Sequence, residues 1–130
     1  MSGQLPVQVD PIRLADDGTR LQGALPGSEM SRLRKFALPG SQPATVTIDL
    51  QFERTAQGMR RMHGSIRTQV EMACKRCLQS LVIEVVTQPV FVLLQPDEAE
   101  PEEGETLVVD APLSLIELVE DELLLAMPMS

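Results

Sequence analysis

Hydrophobic and polar residues alternate strictly over residues 45–53. Val46, Ile48, Leu50 and Phe52 fall on one side, with Thr45, Thr47, Asp49, Gln51 and Glu53 on the other. A period of two marks a strand with one buried face. After a turn over residues 54–58 the alternation resumes, with Met62, Ile66, Val70 and Met72 inward and Arg61, His63, Arg67, Gln69 and Glu71 outward. The pair predicts a hairpin. Residues 81–94 are apolar on both faces over much of their length, which predicts a more buried third strand, with Pro89 implying a bulge or an edge near its middle. The three strands make an antiparallel meander, and residues 106–109 add a short further strand.

Toward the end the period changes. At 100° per residue Leu115, Ile116, Val119, Leu123, Ala126 and Met127 share one broad face, which predicts an amphipathic helix packed on the sheet. Asp110 ahead of Pro112 marks its start, and it runs to about Ala126. Leu118 and Leu125 form a second strip beside the acidic Glu117 and Asp121, with no obvious partner inside the chain. Those four residues are candidates for contact with another protein. Nearer the start, residues 5–14 read as extended, and Ser28 is placed to cap a short helix through Phe36. The expected class is α+β: an antiparallel β-meander packed by a C-terminal amphipathic helix, with a short N-terminal strand and helix.

A chain of 130 residues is the size of a single domain spanning 1–130, too small for a substrate domain beside a cofactor domain. Trp and Tyr are absent, and Phe36, Phe52 and Phe91 are the aromatic residues. Aromatic stacking onto bases is therefore nearly excluded. No apolar run reaches membrane-spanning length, and residues 1–10 lack the basic flank and apolar stretch of a signal peptide, so a cytoplasmic location is expected. The net charge of −8 conceals an asymmetry. Residues 1–80 hold 11 basic and 7 acidic side chains, whereas residues 81–130 hold 12 acidic and none basic. Contact with nucleic acid then requires a local patch in the first half. Residues 95–105, rich in Asp, Glu, Pro and Gly, read as a mobile acidic loop.

The loaded spacing is Cys74-Lys75-Arg76-Cys77, at the reversal between the second and third strands. A redox pair wants its first thiolate at a helix N-terminus, whereas strands flank this one. Two thiolates from one turn suit half of a zinc site, and reduced thiols in a turn are the third reading. With two ligands in the chain the site is incomplete, so no cofactor is expected, zinc entering only if a C-terminal tail or a second chain completes the set. The sequence holds no phosphate-binding loop, nucleophile elbow, zinc-protease helix or dinucleotide fingerprint, and no enzyme is expected. Arg54, Arg60, Arg61, Arg67, Lys75 and Arg76, drawn from two hairpin ends and one strand face, are the candidates for RNA phosphate.

Three stretches carry a resemblance. Leu5-Pro6-Val7-Gln8-Val9-Asp10-Pro11-Ile12-Arg13, followed by Leu21-Gln22-Gly23, resembles an opening strand and later Q-G of the bacterial large ribosomal RNA subunit accumulation proteins, the YceD-like group with plant organelle relatives. Cys74-Lys75-Arg76-Cys77-Leu78 is similar to their C-x-R-C-L turn. Residues 117–128 read Glu-Leu-Val-Glu-Asp-Glu-Leu-Leu-Leu-Ala-Met-Pro and resemble their most specific signature. Order and spacing agree across nearly the whole chain. Family members continue after that signature with a proline, histidine and cysteine stretch, whereas this sequence stops at Pro128-Met129-Ser130, so the further ligands that the resemblance implies for Cys74 and Cys77 are missing: either a tail that normally follows Ser130 is absent or this member has lost the site.

It also implies a non-enzymatic ribosome-biogenesis factor in synthesis, processing or stability of large-subunit (23S) ribosomal RNA, with that RNA or its precursor as partner. The alternative is a module that binds a basic ribosomal protein or assembly factor and never touches RNA.

Overall fold

The computed structural model describes residues 5–38, 45–73, 79–101 and 104–127. In chain order they form β1 (Gln8–Val9), α1 (Pro11–Asp17), β2 (Arg20–Leu25), a 3-10 turn (Gly27–Glu29), α2 (Ser31–Arg34), β3 (Val46–Arg54) and β4 (Arg60–Ala73). These are followed by β5 (Ser80–Thr87), β6 (Val90–Leu94), β7 (Glu105–Val108), β8 (Leu113–Ser114) and α3 (Leu115–Ala126). The class is the expected α+β, mostly antiparallel, with a C-terminal helix and a short N-terminal strand and helix.

The meander is the spine. β3 and β4 pair antiparallel from Thr47 opposite Arg67 to Arg54 opposite Arg60. β2 adds outside β3, Leu21 facing Leu50. On the other side of β4 lie β5 and β6, which are one strand interrupted at Gln88 and Pro89. Thr87 faces Ile66 and Val90 faces His63, so three positions are consumed on each side. There is no extra residue and hence no bulge at Pro89. The interruption arises because proline has no N–H for the ladder, while its carbonyl accepts from the Gly64 N–H at 3.3 Å. β7 then runs parallel to β6, Glu105 beside Phe91 and Val108 beside Leu94.

One face of this sheet is the core. Val46, Ile48, Leu50, Phe52, Met62, Ile66 and Val70 are buried together with Ala15 of α1, Leu33 of α2 and Leu115, Val119 and Leu123 of α3. Burial of each such large side chain stabilises by about 1.5–3 kcal/mol. The opposite face carries no helix among the described residues and is mostly polar.

The N-terminal expectations need correction. Residues 5–14 are not extended throughout, because α1 begins at Pro11. Its cap is Asp10, whose carboxylate accepts from the Ile12 and Arg13 N–H groups at 3.2 and 3.4 Å, and Gly18 closes it in the left-handed region at φ 67°. Ser28 caps no helix. The 3-10 turn takes residues 27–29, and α2 follows without a cap from its own neighbours. α3 starts at Leu115 rather than near Pro112, because β1 takes residues 113 and 114 as a strand, Val9 facing Leu113. Ser114 caps it, its Oγ accepting from the Glu117 N–H at 3.3 Å.

Candidate functional site

Alternation along β4 places Arg61, His63, Ser65, Arg67 and Gln69 on the polar outer face of the sheet. Arg54 and Arg60, which face each other at the hairpin end, belong elsewhere. The Arg60 guanidinium donates to Asp16 of α1 at 2.8 Å, and Arg54 donates to the same carboxylate at 3.3 Å. Glu98 lies 3.6 Å from Arg60. The hydrogen bond from Arg60 and the two positive charges hold the Asp16 carboxyl below its usual range. These arginines fasten α1 to the hairpin, and their charge is matched locally.

Arg61 is also committed, donating to Glu53 at 2.6 Å, while His63 Nε2 stands 3.4 Å from the other oxygen of that carboxylate. Both hydrogen bonds lower the Glu53 carboxyl, that from Arg61 most. Beside them Arg20 grips Asp49 in a two-pronged pair at 2.9 and 2.8 Å, an interaction across β2 and β3 that strand patterning alone did not signal. Arg67 differs. Among the described residues it makes no ion pair, and it stands between Thr47 and Val86 in the sheet. It lines a shallow depression of about 340 Å³ with Thr45, Thr47, Thr68, Gln69 and Glu84. A second depression, of about 390 Å³, lies between Arg20 and Gln88 and includes His63 and Ser65. Such a face offers hydrogen bonds and one uncommitted guanidinium to a ligand lying flat across it.

Cys74, Lys75, Arg76 and Cys77 fall outside the described residues. Among the described residues no three His, Cys, Asp or Glu side chains cluster as metal ligands, and His63 is engaged with Glu53. The helix strip divides. Leu118, expected to be free, is 9 % exposed and belongs to the core, whereas Leu125 is 80 % exposed. Leu118 lines a groove with Leu107 of β7 and Leu113 of β8, which supply the apolar neighbours that the strip was expected to lack. Glu117 is exposed at the first turn, and Asp121 pairs with Arg32 of α2.

The acidic residue that patterning did not single out is Glu120. It is 3 % exposed, and its carboxylate accepts from the Arg32 and Leu33 N–H groups at 2.8 and 3.0 Å and from the Arg32 side chain at 3.2 Å. The missing cap of α2 therefore comes from 88 residues away in the chain. No helix among the described residues is long and apolar enough to cross a membrane.

Residues 62–130 match the family model described as large ribosomal RNA subunit accumulation protein YceD. A protein of that name from Haemophilus influenzae is 32 % identical over 132 aligned positions, covering 97 % of this chain and 74 % of the relative. No solved structure matches the chain.

Proposed function

The chain belongs to the large ribosomal RNA subunit accumulation protein YceD family, and from that premise we propose that it promotes accumulation of large-subunit ribosomal RNA in the cytoplasm by binding rather than by catalysis. The family name supports the RNA; the observation that supports the mode is the polar, helix-free outer face of the sheet with Arg67 at its centre. Among the described residues, Arg67 is the phosphate candidate that no carboxylate neutralises. It is flanked by Thr45, Thr47 and Gln69, which are hydrogen-bonding groups suited to a phosphate or a ribose.

The rival reading, contact with a basic ribosomal protein or assembly factor, draws support from the pairing of Arg54, Arg60 and Arg61 and from the excess of acid in residues 81–130. Zinc stays a proposal for a chain in which further ligands join Cys74 and Cys77, since two thiolates do not fill a tetrahedral shell.

The test is an RNA titration at several salt concentrations with transcripts of the large-subunit RNA. Arg67→Glu is expected to weaken binding about tenfold or more and to flatten the salt dependence by one phosphate contact. Arg61→Glu is expected to do less, because its charge is already spent on Glu53. Large-subunit RNA levels restored in cells lacking the native gene are expected to follow the same order. Unchanged RNA affinity in Arg67→Glu, with recovery of a basic protein on the wild-type chain, transfers the function to the rival reading.

A further inference from the structure

Among the described residues β5 has an open edge, as do β2 and β7 at the two ends of the strand order. The eight residues of β5 pair with β4 along one edge, and β7 covers the neighbouring β6 from Phe91 to Leu94 and stops there. Among the described residues no strand pairs the other edge of β5. Soluble proteins blunt such an edge with lysine, proline, a bulge or a very short strand. The segment Ser-Leu-Val-Ile-Glu-Val-Val-Thr has none of these, and its one charge is Glu84. Leu81, Val82 and Val86 are instead 52, 59 and 40 % exposed. A row of unused main-chain donors and acceptors flanked by β-branched side chains is a template for one more strand.

The charges around this edge select its occupant. Glu84, at the centre of β5, is exposed and is the one charged residue of the strand. Glu105 begins β7 beside Phe91, so it stands just beyond the C-terminal end of the open edge. The Glu122 carboxyl of α3 is raised by burial first and next by the charge of Glu105, which lies near it. No basic residue occurs after Arg76 in the sequence. A second copy of the chain is the poorer partner. Two-fold pairing of β5 with itself keeps each residue on its own face, which sets Glu84 against Glu84 or one pair away, and like charges across a ladder destabilise it.

We propose that the free edge of β5 accepts an extended, basic segment of another protein as an added strand, with a lysine or arginine set opposite Glu84. Main-chain hydrogen bonds hold the segment, Val82 and Val86 contact its apolar side chains on the outer face, and Glu84 and Glu105 choose its charge. This surface adjoins Arg67, which faces Val86 and shares a depression with Glu84, but it rests on the main-chain edge of β5 and holds whether or not Arg67 meets RNA.

The test uses the full chain and three labelled ten-residue peptides: one whose alternate positions read valine, lysine, valine with threonine between them, matching Val82, Glu84 and Val86 on one face, the same peptide with glutamate for lysine, and the lysine peptide N-methylated along one edge. The lysine peptide is expected to bind and to slow hydrogen exchange of the amides in Ser80–Thr87. The glutamate and N-methylated peptides are expected to bind at least tenfold more weakly. Val82→Lys with Val86→Lys, both exposed positions, is expected to weaken the lysine peptide at least tenfold with an unchanged circular dichroism spectrum. Glu84→Lys is expected to turn the preference toward the glutamate peptide. Equal binding of the N-methylated peptide, protection outside β5, no binding at all, or a concentration-dependent dimer that protects the same amides would each overturn the proposal.

Discussion

Gly64 stands opposite Leu50, and a β-carbon built on it would lie 1.9 Å from the Asp49 carbonyl oxygen. Backbone, unlike a long side chain, cannot swing aside, so the strands would have to part. Gly64→Ala is therefore expected to destabilise by about 3 kcal/mol or more, measured by urea unfolding. Stability within about 0.5 kcal/mol of the parent chain would show that the ladder tolerates the spreading. The inward set Val46, Ile48, Leu50 and Phe52 was legible because side-chain direction in a strand depends on parity alone. The state of each arginine was not. Arg61 and Arg67 have the same parity on the same strand, and they differ because Glu53 lies across the ladder from Arg61 while Thr47 lies across from Arg67. That distinction needs the register, which the turn between Arg54 and Arg60 fixes and which alternation alone does not give.

At the scale of elements, α2 is too short to stand on its own helical bonds, and its first free N–H groups are met by Glu120 of α3. Glu120→Ala removes that cap and leaves buried donors unmatched, so a loss of about 2–4 kcal/mol is expected. Glu120→Gln keeps an acceptor oxygen and is expected to lose roughly half as much. Equal stability of all three chains by thermal unfolding would mean that water replaces the carboxylate. Sequence reading offered Glu117 and Asp121 of the last helix to another protein and singled out no role for Glu120. It had no means of seeing a partner 88 residues away. The same limit explains α1 and α3. The Asp10-Pro11 start and the Ser114-x-x-Glu117 cap were both in the sequence, but so were competing signals, and pairing of β1 with β8 decided between them.

The connection from β6 to β7 gives a contrasting expectation. Its first turn is tied down, the Gln95 N–H donating to Glu98 at 2.9 Å and Glu98 facing Arg60, whereas the acidic residues that follow bring little apolar surface. Neutral Gly and Ser in place of residues 99–104, at the same length, are expected to leave stability within about 0.5 kcal/mol. A larger loss in a melting experiment would assign that segment a packing role.

Over the whole molecule the surface carboxylates pull stability in opposite directions with pH. Asp16, Asp49 and Glu53 are held below their usual range, chiefly by hydrogen bonds from Arg60, Arg20 and Arg61. A lowered folded value means that the stabilisation is fully present above the ordinary carboxylate range, about 4, and is lost as pH falls through the lower folded values. Glu122 is the opposite case, raised by burial first and then by the charges of Glu105 and Asp121. Its folded form holds the proton more tightly than the unfolded chain does. Acidification from neutral toward about 4 therefore adds stability at this residue, and nothing further is gained below that range. The net charge of −8 acts in the same sense, because partial protonation relieves repulsion concentrated in residues 81–130. Stability is accordingly expected to rise modestly from pH 7 toward the ordinary carboxylate range, about 4, and to decline below it. Solvent screening of these exposed pairs keeps each step shallow. Melting temperatures recorded across that range at fixed ionic strength would check it. Glu122→Gln is expected to flatten the neutral limb and leave the acid limb in place, and Asp16→Asn to soften the acid limb alone. A melting temperature that falls steadily from pH 7 downward would show instead that the arginine-paired carboxylates dominate throughout and that Glu122 contributes nothing to the balance.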